Sequence, residues 1–193
     1  MRRYDRLVLL GGLTALTLAG CGPSVQPSRA PPPRRPPVVI PGIPMPASTY
    51  VATASSIDLY VIKSSQLALT RAGDAGLRDF ARTMIGAHEG LASQLSFAGR
   101  RLNLLPSAEL QPEHQRMLDT LQSTMDFDAA YRSQQIQVHE AAVKLHTDFA
   151  SRGESPTLRP VAANAAPIER AHLQRLRGMQ SASRWIIRRA RSG

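Results

Sequence analysis

Between Leu77 and Leu102 the non-charged side chains recur at alternating intervals of four and three: Leu77, Ala81, Met84, His88, Leu91, Leu95, Ala98 and Leu102. This spacing keeps a single stripe of an α-helix turned toward a neighbour, as in the seam of a helical bundle, whereas a strand with period two would scatter the same residues over both faces. The rest of the chain from Thr49 onward reads in the same register. A first helix is expected over Ala52–Arg71, with Ile57, Val61, Ser64 and Ala68 on one stripe and Gly73 and Gly76 as punctuation. Leu105-Pro106 and Gln111-Pro112 break the chain after the second helix, and a short helix is expected over Pro112–Ser123. Asp126 resembles an N-cap for a third long helix carrying Phe127, Tyr131, Gln134, Val138, Ala141 and Leu145, stopping near Gly153. Ser155-Pro156 reads as the cap and first position of a fourth, with Leu158, Val161, Ala165, Ile168, His172 and Met179 on one face and Pro167 as a kink. With aromatics at only 5%, Leu, Ala, Ile, Val and Met must build the core. The expected fold is all-α: a four-helix bundle over residues 49–184 with an extra short helix in a longer second connection, then a basic tail over 185–193.

The first 48 residues follow other rules. Arg2, Arg3 and Arg6 precede an uncharged apolar stretch from Leu7 to Gly20, the pattern of an export signal over residues 1–20. At about 14 residues it falls short of the roughly 20 that span a bilayer as a helix. Leu18-Ala19-Gly20-Cys21 resembles the lipobox of bacterial lipoproteins, which implies cleavage before Cys21 and lipidation of its side chain. Cys21 is the chain's one cysteine, so no intramolecular disulfide is available. Gly22 in place of Asp after the cysteine implies, by the sorting rules of that class, the outer rather than the inner membrane. Ten of the 15 prolines lie between Pro23 and Pro46, so residues 21–48 read as a disordered proline-rich tether. In polyproline conformation, at about 3.1 Å per residue, it reaches on the order of 70 Å.

The formal net charge of +10 sits mostly at the ends. Setting aside the signal, the linker arginines Arg29, Arg34 and Arg35 and the terminal Arg188, Arg189 and Arg191 leaves about +2 on the rest of the chain. Nucleic-acid binders carry their charge as a patch on the folded domain, with stacking aromatics, so nucleic acid is not an expected partner. The expected partners are the membrane, through lipidated Cys21, and envelope proteins or anionic envelope polymers met by the arginine ends. Trp185, Ile186 and Ile187 suit either an amphipathic end or packing of the last helix.

Three histidines fall on or beside apolar stripes: His88, His139 and His172. Glu169-x-x-His172 places a carboxylate and an imidazole one turn apart on one face, the ligand pair used in di-iron bundles. His146, two turns from His139, is expected at the surface. No nucleophile elbow or phosphate loop is present. The run from Tyr50 to Met179 resembles the bacterial domain of unknown function 4142 family, exported proteins with a ferritin-like fold. The residues carrying the likeness are Ile62-Lys63-Ser64-Ser65-Gln66-Leu67-Ala68, Phe80-Ala81-Arg82-Thr83-Met84-Ile85 with His88, Phe127-Asp128-Ala129-Ala130-Tyr131, His139, and Pro167 with His172-Leu173. The resemblance implies a ferritin-like bundle, aligns the family's histidines with His88, His139 and His172, and pairs Asp128 with Tyr131 as a candidate buried polar network.

A di-iron centre asks for more carboxylates than this chain offers. The first helix has no acid after Asp58 and carries Val61 where related sequences often place Glu, and the second reads Ile85-x-x-His88. Two readings follow for His88, His139, Glu169 and His172: a single transition-metal site, or structural groups whose hydrogen bonds are satisfied within the core. The leading expectation is a non-enzymatic lipoprotein, tethered to the outer membrane and facing the periplasm, with an interaction or stress-related role. The alternative is a metal-binding or redox bundle.

Overall fold

A computed structural model describes residues 44–191, with side chains for residues 44–179. The signal, Cys21 and most of the tether lie outside the described residues, as do the side chains of Trp185, Ile186 and Ile187. Five helices follow in order: α1 (Ala47–Arg71), α2 (Ala75–Arg100), α3 (Pro112–Ser123), α4 (Phe127–Arg152) and α5 (Arg159–Arg191). There is no strand among the described residues, and no described helix is long and apolar enough to cross a membrane.

α1 begins at Ala47, five residues before the expected start. Thr49 and Val51 are weak helix formers, but burial overrides propensity here: Tyr50 is fully buried and stacks on Phe149 with ring centroids 3.9 Å apart. The first turn is also held from outside, because the Ala47 N–H donates to Glu154 Oε2 at 3.1 Å. The buried face of α1 then runs Tyr50, Ala54, Ile57, Val61, Ser64 and Ala68, the same four-and-three alternation as α2.

Asp74 caps α2, its side chain accepting from the backbone of Gly76 and Leu77. Every position of the α2 stripe from Leu77 to Ala98 is buried, His88 included. The helix ends in a tight return: Asn103 takes a left-handed φ of 53°, and the Leu104 N–H donates to the Gly99 carbonyl. A Cβ on Gly99 would lie 2.2 Å from the Leu104 carbonyl oxygen, so only glycine fits.

α3 begins with Pro112 at its first turn, as expected, and is pinned at both ends to α1. Ser56 Oγ lies 2.7 Å from His114 Nδ1, and the Arg71 guanidinium donates to the carbonyls of Leu121, Gln122 and Thr124. Asp126 caps α4 through the Ala129 N–H, and Gly153 follows its last turn. Ser155 opens a turn rather than the helix itself: its carbonyl accepts from Leu158 and Arg159, and α5 starts at Arg159. Pro167 is accommodated inside α5, which runs to Arg191. Residues 185–191 of the expected basic tail therefore continue the helix, since no glycine or proline interrupts the sequence between Gly178 and Arg191.

The short links after α1 and α4 make two antiparallel hairpins, α1–α2 and α4–α5. α1 packs on α4 and α2 on α5, closing a ferritin-like four-helix bundle with α3 laid across α1 and α4.

Candidate metal centre

Each inner helix turns polar side chains into the middle of the core. α2 brings His88, α4 brings His139, and α5 brings Glu169 and His172 one turn apart. His88, His139 and Glu169 are fully buried; His172 is half-buried. The three imidazoles form a nearly equilateral triangle, with centroids 5.5 Å apart for His88–His139, 5.7 Å for His88–His172 and 5.5 Å for His139–His172. One ligand atom from each of the four residues lies within 4.8 Å of all the others. Four donors each about 2 Å from one ion in a tetrahedron are about 3.3 Å apart, so side-chain adjustments of up to about 1 Å per residue would bring all four onto a common centre.

The hydrogen bonds divide these atoms into two sets. His88 Nδ1 lies 2.8 Å from Asp58 Oδ1, and His139 Nδ1 donates to the Gln135 carbonyl at 2.7 Å. His88 Nε2, His139 Nε2, His172 Nδ1 and both oxygens of Glu169 are buried with no hydrogen-bond partner. They account for five of the eight such buried atoms among the described residues. Leaving one buried donor or acceptor unmet costs about 1–3 kcal/mol, so a group that met these five atoms would stabilise the core. Within the protein itself, His88 and His139 each have a partner at Nδ1.

The electrostatics keep the imidazoles in the form that ligates. Burial pushes His88 and His139 down to about 3, the latter helped by His88. Burial, then His88 and Arg175, push His172 down to about 4. All three are therefore neutral at neutral pH. The carboxyls move the opposite way: burial raises Glu169 well above the usual carboxylate range, with Asp58 adding to it, and burial raises Asp58 too. A cation at the centre would reverse that by favouring the ionised forms.

Two residues that matter here were not singled out from the sequence. Asp58, named in the sequence only as the last acid of the first helix, is 3% exposed and touches His88. It sits three residues before Val61, within the buried band of α1, and that spacing was the available signal. His146, expected at the surface, is buried at 4% exposure with Nδ1 3.0 Å from the Tyr50 hydroxyl. Seven residues from His139 is two helical turns, which returns to the same inward face. The Asp128–Tyr131 pair is not a single network. Asp128 accepts from the backbone N–H groups of Gly73 and Asp74 at the α1–α2 turn, while Tyr131 reaches inward to Ser65 Oγ at 2.8 Å. The Asp128 carboxylate works at the rim because it is needed to cap a turn.

Residues 41–179 match the family model for the domain of unknown function DUF4142. The chain belongs to this family. Among solved structures, this DUF4142 chain is similar to CopM in its Cu(II)-bound form, with a TM-score of 0.62 and 18% identity over 74% of this chain and 99% of CopM. CopM in its Cu(I)-bound form gives 0.59 and 17% over 72% and 96%. A DUF305 fragment from Deinococcus radiodurans gives 0.59 and 18% over 70% and 95%. At these identities the likeness extends to the fold of the DUF4142 domain. No curated protein matches the chain.

Proposed function

We propose that the domain holds a single divalent transition-metal ion between α2, α4 and α5, in a lipoprotein of the bacterial envelope. The observation that carries this is that His88, His139, Glu169 and His172 each bring a ligand atom within 4.8 Å of the others, in a part of the core where side-chain atoms of all four lack a hydrogen-bond partner. Three imidazoles and one carboxylate suit zinc, copper, iron and nickel, and among divalent ions such a donor set binds Cu(II) most tightly. The fold shared with CopM, a protein described in copper-bound forms, supports copper as the ion to test first.

The site suits holding an ion rather than turning over a substrate. Catalytic metal centres keep a coordination position open to water or substrate. Here four protein donors surround the centre and three are fully buried. A non-enzymatic, stress-related role in the envelope follows, with the ion as cargo or structural tie. Lipidation at Cys21, the tether over residues 21–48 and an outer-membrane address facing the periplasm complete this reading, and they rest on the sequence motifs.

Elemental analysis of the purified full chain, exposed in turn to Cu(II), Zn(II), Ni(II) and Fe(II), tests the site. Stoichiometric metal that is lost in His88→Ala is the expected result. A folded wild-type chain that retains none of the four ions after desalting overturns the reading.

A further inference from the structure

α1 supplies no ligand to the proposed centre, yet it carries a carboxylate that reaches it. Asp58 is almost fully buried, and its Oδ1 lies 2.8 Å from Nδ1 of His88, nearer than Glu169 Oε1, which is 3.9 Å from the same nitrogen. An ionised carboxylate at that position, the form that a cation at the centre favours, accepts the ring proton of Nδ1. The lone pair is then left on Nε2, the buried atom that has no partner. It also fixes the ring plane. His139 is set by a neutral version of the same device, since the Gln135 carbonyl accepts from its Nδ1 and its Nε2 faces inward. His172 has the reverse arrangement, with Nδ1 as the buried atom that has no partner and its ring partly exposed.

We infer that Asp58 is the positioning residue of the metal centre: from α1 it fixes the tautomer and orientation of His88, so that Nε2 faces the ion, and thereby sets the affinity. The inference rests on the metal reading above. Among the two fully buried histidines, His88 is the one whose orienting group is a carboxylate, a stronger acceptor than a neutral carbonyl and one that makes the imidazole a better donor to a metal. Losing an orienting group of this kind lowers metal affinity about 10–100-fold. The bundle thus uses all four long helices at the centre, three through ligands and one through an acceptor behind a ligand.

The test compares the purified full chain with Asp58→Ala and Asp58→Asn, using Cu(II) and Zn(II) dissociation constants from chelator competition. The ring nitrogens of His88 are followed by 15N NMR in the metal-free state, assigned by their loss in His88→Ala. Asp58→Ala is expected to bind about 10–100-fold more weakly, and its His88 no longer keeps the proton on Nδ1. Asp58→Asn, which retains an acceptor oxygen but not the charge, is expected to fall between the two. Tautomer and affinity moving together identify positioning, because lost packing alone leaves the protonated nitrogen unchanged. Should Asp58→Ala fail to fold, Asp58→Asn carries the comparison. Unchanged affinity in the variants, or an unchanged His88 tautomer, overturns the role of Asp58 while leaving the metal site standing. A wild-type chain that takes up neither ion removes the metal reading itself, and this inference with it.

Discussion

Replacing Glu169 with methionine separates a ligand from a structural polar group, because the two roles predict opposite signs in the metal-free protein. Glu169 is fully buried, and neither carboxyl oxygen has a hydrogen-bond partner; the nearest histidine nitrogens are 3.7 Å away at His139 and 3.9 Å at His88. A buried group left unmet in this way costs about 1–3 kcal/mol, and apolar replacements of similar volume at buried charged sites are often neutral or stabilising. Methionine fills nearly the same volume with no polar oxygen, so Glu169→Met is expected to stabilise the metal-free chain by about 1–3 kcal/mol. For a domain of this size, 1 kcal/mol moves Tm by about 2–4 °C, so the expected rise is roughly 2–12 °C. Metal then inverts the order. An ion at a hundred times its Kd adds about 2.7 kcal/mol to the wild type, whereas the variant has lost a ligand and gains far less. Differential scanning calorimetry on both chains, with and without Cu(II) or Zn(II), reads both effects. A clear fall of Tm in the metal-free variant would refute the reasoning, since it would mean that Glu169 is already satisfied inside the core.

Acid lowers stability through the buried histidines. His146 is held at about 4 by burial against an unfolded value near 6.5, so the unfolded chain takes up the proton first, and this contribution is full above about pH 6.5 and lost as pH falls toward 4. Asp58 and Glu169 act with the opposite sign, so the measurement is the difference between the wild type and His146→Gln: the variant's stability should fall less steeply with acid, by about 1.4 kcal/mol per pH unit inside that window, and parallel urea-denaturation curves across pH would contradict it. Arg175, one turn beyond the half-buried His172 of the proposed site, bridges α5 to α2 through Thr83 Oγ1 at 3.3 Å and lies over the Phe80 ring. Arg175→Ala is expected to speed both metal uptake and chelator stripping several-fold in stopped-flow, with little change in Kd, and unchanged rates would place the route elsewhere. Cys21→Ser is expected to move the chain from the membrane to the soluble fraction and abolish labelling by a fatty-acid probe; a membrane-bound, unlabelled variant would show that the anchor is not the lipid.

The helices were legible in the sequence because periodicity reports burial directly. α3 was bounded correctly at Pro112 and Ser123, and α4 at its Asp126 cap and Gly153 stop, where cap and breaker residues coincide with the change of period. The start of α1 was missed because Tyr50 enters the core through stacking on Phe149, about a hundred residues away, and no local signal marks such a contact. His88, His139, Glu169 and His172 were identifiable as polar residues on or beside apolar stripes. Their convergence was not, because it depends on how the helices are rotated about their axes when packed. Asp58 was set aside by counting acids against a di-iron pattern. The question the chain answers is different: what stands behind each histidine, rather than how many carboxylates face the metal.

The placement of the ligands also says what an ion would do to the fold. His88 belongs to the α1–α2 hairpin, whereas His139, Glu169 and His172 belong to α4–α5. Between these hairpins, α1 meets α4 through polar as well as apolar pairs, including Ser65 with Tyr131 and Gln135 Nε2 with Ser64 Oγ at 2.9 Å, while α2 and α5 meet more sparsely. An ion at the centre would tie the two hairpins together along that sparser side. Its effect on hydrogen exchange should therefore reach well beyond the ligand turns: protection should rise along α2 and α5 together, as expected of a link between two units rather than a local clamp. Protection confined to the turns around His139 and His172 would mean that α4 and α5 bind the ion alone and that His88, with Asp58 behind it, stands aside.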